Sequence, residues 1–276
     1  MPTKSLPETL LRLLILATAI LLILLAVLTV ANVIIRLPEK PATPNTPGDE
    51  TSQMGDLPSQ PGSDPVSDGV TLAQTPDAGL TYQDRLTFVG DSLTAHLINR
   101  GVLTGGTGTK QVWRCESNML NLNSEVTSAK IIFPGTGEKM TIADAAGEAE
   151  PEILIVTLGT DWGVSYLSEQ EFKDCYSKLV RQIKEASPDT VIILQSIFPV
   201  TKDCTVLNNQ KIDTANTWVK AIAAENGCRY LDTQSVLKDG SNCLKAEYCN
   251  STDGIHLTAS AYEAILAYIR THAVTD

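Results

Sequence analysis

Apolar and polar positions divide the chain into three textures. Leu13 to Ile35 is an almost unbroken apolar run with no charge and only Thr18, Thr29 and Asn32 as polar interruptions. As a helix it would be roughly 34 Å long at about 1.5 Å per residue, enough to cross a bilayer core of about 30 Å. It is too long for a secretory signal core, and no small-residue cleavage site follows it closely, so a retained anchor is expected. Pro38 to about Leu80 then carries prolines, glycines, serines and acids with almost no large apolar residue. Such a segment cannot bury enough surface to offset the entropy of ordering it, and its prolines and acids keep it extended.

From Thr81 onward short apolar runs alternate with helical patterns. Arg85 to Val89 reads as a strand, followed by a helix through Asn99. Lys130–Phe133 and Lys139–Ile142 flank Pro-Gly-Thr-Gly, a hairpin signal, and Thr141 with Asp144 resembles a helix start. Ile153–Leu158 and Val191–Ser196 read as strands buried on both faces, and Arg229–Leu231 as a short one. Ser168–Ala186, Asn209–Glu225 and Thr258–Thr271 read as helices. The alternation predicts an α/β domain with a parallel sheet covered on both sides, in which ligands bind beyond the carboxyl ends of the strands. The expected organisation is a short tail at 1–12, a transmembrane helix at 13–35, a disordered Pro/acidic linker at 36–80, and a globular domain at 81–276.

Charge and cysteine usage narrow the setting. The 276-residue chain carries a formal net charge of −11, which argues against nucleic acid as a partner. All six cysteines (Cys115, Cys175, Cys204, Cys228, Cys243, Cys249) follow the apolar run, and none forms a C-x-x-C pair. No metal or cofactor site is expected from them, and an even set fits an oxidising compartment with disulfides. A bridge between Cys243 and Cys249 would stiffen the loop before Asp253. Together these features predict a single-pass protein of the cell membrane, N-terminus inside, with its domain outside the cytoplasm.

The candidate chemistry lies at two distant loops. Gly90-Asp-Ser92 ends the first strand and opens its helix, so Ser92 sits where unpaired helix N–H groups and positive partial charge converge. A serine there attacks a carbonyl, and its own N–H can hold the oxyanion; the same residues also suit ordinary helix capping. Asp253-Gly-Ile-His256 precedes the last helix. An imidazole is the usual base for a serine, and a carboxylate three residues earlier on the same loop can fix its tautomer. Of three histidines, His96 lies one turn past Ser92 and is expected to pack or face solvent, and His272 lies in the tail. Gly105–Lys110 lacks the Walker order and is read as a flexible loop. Trp113 and Trp162 are candidates either to line a cleft and stack on a sugar or to be partly buried in the core, and Trp218 is expected in the core.

Phe88-Val-Gly-Asp-Ser-Leu-Thr94 and Asp253-Gly-Ile-His256 resemble the first and last blocks of the GDSL, or SGNH, hydrolases, over about residues 83 to 272. The resemblance implies a flavodoxin-like three-layer α/β/α sandwich with a central parallel sheet. It also implies ester hydrolysis through an acyl-enzyme, with Ser92 as nucleophile, His256 as base and Asp253 as orienting acid. Two departures stand out. The family's third block is Gly-x-Asn, whose amide donates to the oxyanion, whereas this chain has Gly159-Thr-Asp161. Its second block offers a glycine N–H, whereas Val112–Met119 contains none, which leaves Ser117 or Asn118 as substitute donors and Arg114 as a source of charge. The leading expectation is an esterase that removes short acyl groups, acetyl above all, from an extracytoplasmic O-acetylated glycan or a small acyl ester. The alternatives are a silent glycan-binding module on the same fold, or an O-acyltransferase.

Overall fold

The structure, a computed structural model, describes residues 68–250 and 252–275. The expected anchor at 13–35 and the linker up to residue 67 lie outside the described residues. No helix among the described residues is long and apolar enough to cross a membrane.

The elements follow in the order α1 (Gly79–Asp84), β1 (Leu86–Gly90), α2 (Ser92–Arg100), β2 (Val112–Cys115), β3 (Lys130–Ile132), β4 (Lys139–Thr141), α3 (Ile142–Ala149), β5 (Ile153–Thr157), α4 (Gly163–Tyr166), α5 (Glu169–Ala186), β6 (Val191–Gln195), α6 (Asn209–Glu225), β7 (Arg229–Leu231), α7 (Gln234–Leu237) and α8 (Ala259–Arg270). They build one seven-stranded sheet of order β4-β3-β2-β1-β5-β6-β7. The five strands from β2 to β7 in that order run parallel. Every residue of β5 is buried, as a strand covered on both faces requires.

Alternation along the strands sorts the core into two layers. Val89, Leu154, Val156 and Leu194 pack with apolar residues of α3, α5 and α6 on one face. Phe88, Ile153, Ile155 and Ile193 pack with residues of α1, α2, α7 and α8 on the other. The chain is therefore a three-layer α/β/α sandwich. Both long-range helix starts read from the sequence are present as capping boxes, Thr141 with Asp144 and Ser168 with Glu171.

Four expectations need correction. The sheet is not wholly parallel, because the β3–β4 hairpin joins β2 antiparallel and extends that edge. β2 itself was hidden because its two buried residues, Val112 and Trp113, are adjacent and followed by Arg114, so it shows no strand alternation. The packed chain also begins before residue 81. The N–H of Leu72 donates to Tyr230 and that of Tyr230 to Val70, so a segment of linker-like composition lies along β7. Lastly, no Cys243–Cys249 bridge forms: Cys243 is a thiol that donates to the Ser241 carbonyl. The loop it would have stapled is held by backbone pairing instead.

β1 and β5 are neighbours, but their connections leave toward opposite faces, α2 on one and the α4–α5 segment on the other. This is the topological switch point, where open α/β sheets place ligands. α8 is bound to α2 there, since the buried Tyr262 hydroxyl donates to the Leu93 carbonyl at 2.6 Å. Tyr262→Phe leaves that carbonyl with its intrahelical partner alone, at a cost of about 0.5–1.5 kcal/mol. A urea titration should show a lower midpoint at unchanged slope, and an unchanged midpoint would contradict the role given to this bond.

Candidate active site

At the end of β1 the chain passes through a gap that only glycine fits. A Cβ on Gly90 would lie 2.2 Å from the Thr157 carbonyl oxygen and 2.3 Å from Thr94 Oγ1. Asp91 follows as N-cap of α2, its Oδ1 accepting the Leu93 N–H at 3.2 Å. Its Oδ2 accepts the Thr160 N–H at 3.1 Å, so one carboxylate joins the start of α2 to the loop after β5. Asp91 is fully buried. Burial, and then the neighbouring Asp161 carboxylate, push its pKa up to about 7.

Ser92 is the first residue of α2 and 8% exposed. Its N–H donates to Asp161 Oδ2 and its hydroxyl to Asp161 Oδ1, both at 3.2 Å. The aspartate thus reaches the place that the family's asparagine occupies, and its carboxylate sits on the N–H that would hold an oxyanion. Gly159, two residues earlier, serves the turn: its backbone has φ 128° and its carbonyl accepts the Val164 N–H.

His256 arrives on a hairpin. Cys249 bridges Leu257, and the Asn250 N–H donates to the His256 carbonyl at 2.7 Å. Asp253 Oδ1 accepts the N–H groups of Ile255 and His256, while Oδ2 lies 2.6 Å from His256 Nδ1. Nδ1 is thereby engaged by the carboxylate, and Nε2 is the ring nitrogen on the opposite edge. Gly254 lets this loop sit against the exit of β6. It has φ 76°, a Cβ there would come within 2.3 Å of Thr201 Oγ1, and its carbonyl accepts the Thr201 N–H.

The two loops meet on α2. His96, one turn beyond Ser92, places its ring 4.7 Å from the ring of His256. The imidazole thus reaches the helix that carries the serine, although the Ser92 hydroxyl is turned to Asp161 in this conformation. Burial, the neighbouring His256 and then Arg100 lower the pKa of His96. Sequence reasoning missed this contact; the signal was its i, i+4 spacing from Ser92. It missed Thr160 as well, whose N–H completes the Asp91 bridge.

The second-block donors are not brought to the serine. Ser117 Oγ accepts the Met119 N–H, the Asn118 N–H donates to Cys115, and Asn118 Oδ1 accepts from Arg114. Asn118 does hold a left-handed backbone, φ 58°, which glycine adopts most easily. Trp113 is buried in the core, so the cleft role foreseen for it is lost. Trp162 is 40% exposed and stacks on Tyr166, which is 66% exposed, with ring centroids 4.5 Å apart. His272 is remote in role, stacked on Tyr268 at the end of α8.

The model of the GDSL-like lipase/acylhydrolase family matches residues 88–264. No curated protein matches the chain. Solved structures resemble it at low identity. The periplasmic domain of a lipopolysaccharide acetyltransferase from Salmonella ser. Paratyphi A is 16% identical, over 67% of this chain and 82% of that one, with a TM-score of 0.47. An acetyl-xylooligosaccharide esterase from Geobacillus is 15% identical, over 69% of this chain and 94% of that one, with a TM-score of 0.42.

The raised pKa of Asp91 has a consequence for stability. Between the ordinary carboxylate value of 3.8 and about 7 the folded chain keeps a proton that the unfolded chain has released, so stability falls as pH rises through that window. Denaturation midpoints from pH 4 to 8 should decline, and Asp91→Asn should flatten the decline. The same slope in the variant would assign it to another group.

Proposed function

Because the chain belongs to the GDSL-like lipase/acylhydrolase family, an ester-hydrolase family, we propose that it is a serine esterase that removes short acyl groups, acetyl above all, from an O-acylated carbohydrate. The observation that carries this reading is that His256, held by Asp253, packs against His96, one turn beyond Ser92 on α2. The Ser92 hydroxyl leaves Asp161 and turns to His256 Nε2. As Ser92 Oγ bonds to the acyl carbon its proton passes to Nε2, and the carbonyl oxygen takes the negative charge against the Ser92 N–H. The imidazolium returns the proton to the departing sugar oxygen, which leaves an acyl-serine. Water, deprotonated by the same nitrogen, releases the acid and restores the hydroxyl.

One feature supports a polar carrier: the exposed Trp162–Tyr166 stack, which begins next to Asp161, presents a flat face suited to a sugar ring. Residues 13–35 would hold the domain on the outer side of the membrane and residues 36–67 would extend it toward a surface glycan. A second reading, a silent glycan-binding module, is favoured by one contact, the Asp161 carboxylate on the Ser92 N–H. Acyl transfer to another sugar would use the same acyl-serine with a different acceptor.

A serine-reactive phosphonate separates the first two readings. The esterase is inactivated with time, Ser92→Ala not at all, and His256→Ala at least tenfold more slowly. Glycan binding without any labelling of Ser92 would favour the module. Asp161→Asn replaces an anion with a donor at the oxyanion position. One such donor is worth about 10²–10³ in kcat, so hydrolysis of p-nitrophenyl acetate should rise by one to three orders of magnitude. A fall would mean that the carboxylate assists the reaction.

A further inference from the structure

The loop that carries Asp161 runs directly into α4, and the far side of α4 lines a groove the esterase reaction does not use. It has a volume of about 510 Å³ and lies between α4 and the first turns of α6. Val164 and Leu167 give it an apolar flank. Its polar lining is Ser165, Asn208, Gln210, Lys211 and Thr214, and its aromatic wall is Trp218. A few convergent hydroxyls and amides against one aromatic face is the composition of a small-molecule site rather than of a worn surface.

Each group is held so that it remains available. Asn208 is N-cap of α6: its Oδ1 accepts the N–H groups of Gln210 and Lys211, which orients its amide nitrogen away from the helix with its hydrogens unspent. Thr214 gives its hydroxyl hydrogen to the Gln210 carbonyl and keeps its acceptor lone pairs. Trp218 packs edge-on against the buried Phe172 and is itself half-buried, so its place is fixed and part of its ring is open. The core role expected for it is therefore only half of its position. Lys211 supplies the one charge among the lining residues and forms no ion pair among the described residues, so the groove does not repel a hydroxyl-rich or acidic chain.

The groove is also within reach of the reaction. Ser165 is four residues from Asp161, at most about 14 Å along the chain, and Trp162 and Tyr166, which flank this stretch, form the exposed stack. A bound oligosaccharide of a few rings spans such a distance. We infer that the α4–α6 groove is a sugar subsite that binds the glycan several residues away from the acylated ring and sets the preference for polymeric over small esters. This rests on the esterase reading above and names the part of the substrate that the reaction centre does not touch.

The test compares a chemically O-acetylated cellohexaose with p-nitrophenyl acetate, using the full chain. Thr214→Trp fills the groove from an exposed helix position, and Gln210→Ala removes one amide at its mouth; neither touches the reaction centre. KM for the hexaose should rise about tenfold in each, the worth of one or two hydrogen bonds, with kcat unchanged and p-nitrophenyl acetate kinetics unaltered. An unchanged KM for the hexaose, or equal losses on both esters, would overturn the assignment. Saturation transfer from Ser92→Ala protein to unacetylated cellohexaose reads the groove without catalysis. Transfer abolished by Thr214→Trp supports the subsite even if neither ester is hydrolysed, an outcome that would count against the esterase alone. Transfer that persists in Thr214→Trp would overturn the subsite.

Discussion

A buried carboxylate holds this site together. Asp91 lies between two loops that leave neighbouring strands toward opposite faces of the sheet, and it accepts one N–H from each. That bridge acts with the two bonds from Ser92 to Asp161 to fix the loop of Asp161 against the start of α2. The sheet's switch point opens a crevice there in any case, and Asp91 determines how wide it is. The cost is visible in the residue itself: a carboxyl group shut away from water, facing a second one, takes up a proton far above its ordinary range.

The geometry that builds the crevice also puts a charge in it. An amide at position 161 would donate to a developing oxyanion, whereas the aspartate accepts the Ser92 N–H and hydroxyl and so imitates that oxyanion in the resting state. Substrate must therefore displace a local carboxylate before it can use the helix N-terminus. On the other side, Asp253 commits one oxygen to backbone N–H groups and the other to His256, so the base is well oriented before any substrate arrives. In the proposed mechanism the two halves differ in readiness: the imidazole is oriented, and the N–H proposed to hold the oxyanion is occupied.

Much of this was legible in the sequence because it depends on local signals. The buried runs Ile153–Leu158 and Val191–Ser196, the cap at Thr141 and the turn at Gly90 each carry their own information. Ser92, His256 and Asp253 were readable because each sits at an element boundary the pattern exposes. What was hidden depends on contacts between distant segments. β2 is a strand because β1 and β3 pair with it, and its adjacent Val112 and Trp113 followed by Arg114 give little sign of this. Residues 70–72 look like linker until Tyr230 offers them a partner. Ser117 and Asn118 held a plausible position in the chain, yet both side-chain oxygens accept bonds from their own segment, Ser117 from Met119 and Asn118 from Arg114. His96 seemed incidental until the last loop folded back onto it.

The central claim is that the hydroxyl at the start of α2 carries the acyl group during turnover, with the imidazole of the last loop moving its proton. Intact-protein and peptide mass spectrometry after acid quench, with an activated acetyl ester as substrate, tests this most directly. The account predicts one acetyl group on the peptide that contains Ser92, formed quickly and lost on further incubation, and formed far more slowly in His256→Ala. Acetyl found on another residue, or hydrolysis that continues undiminished in Ser92→Ala, would contradict it.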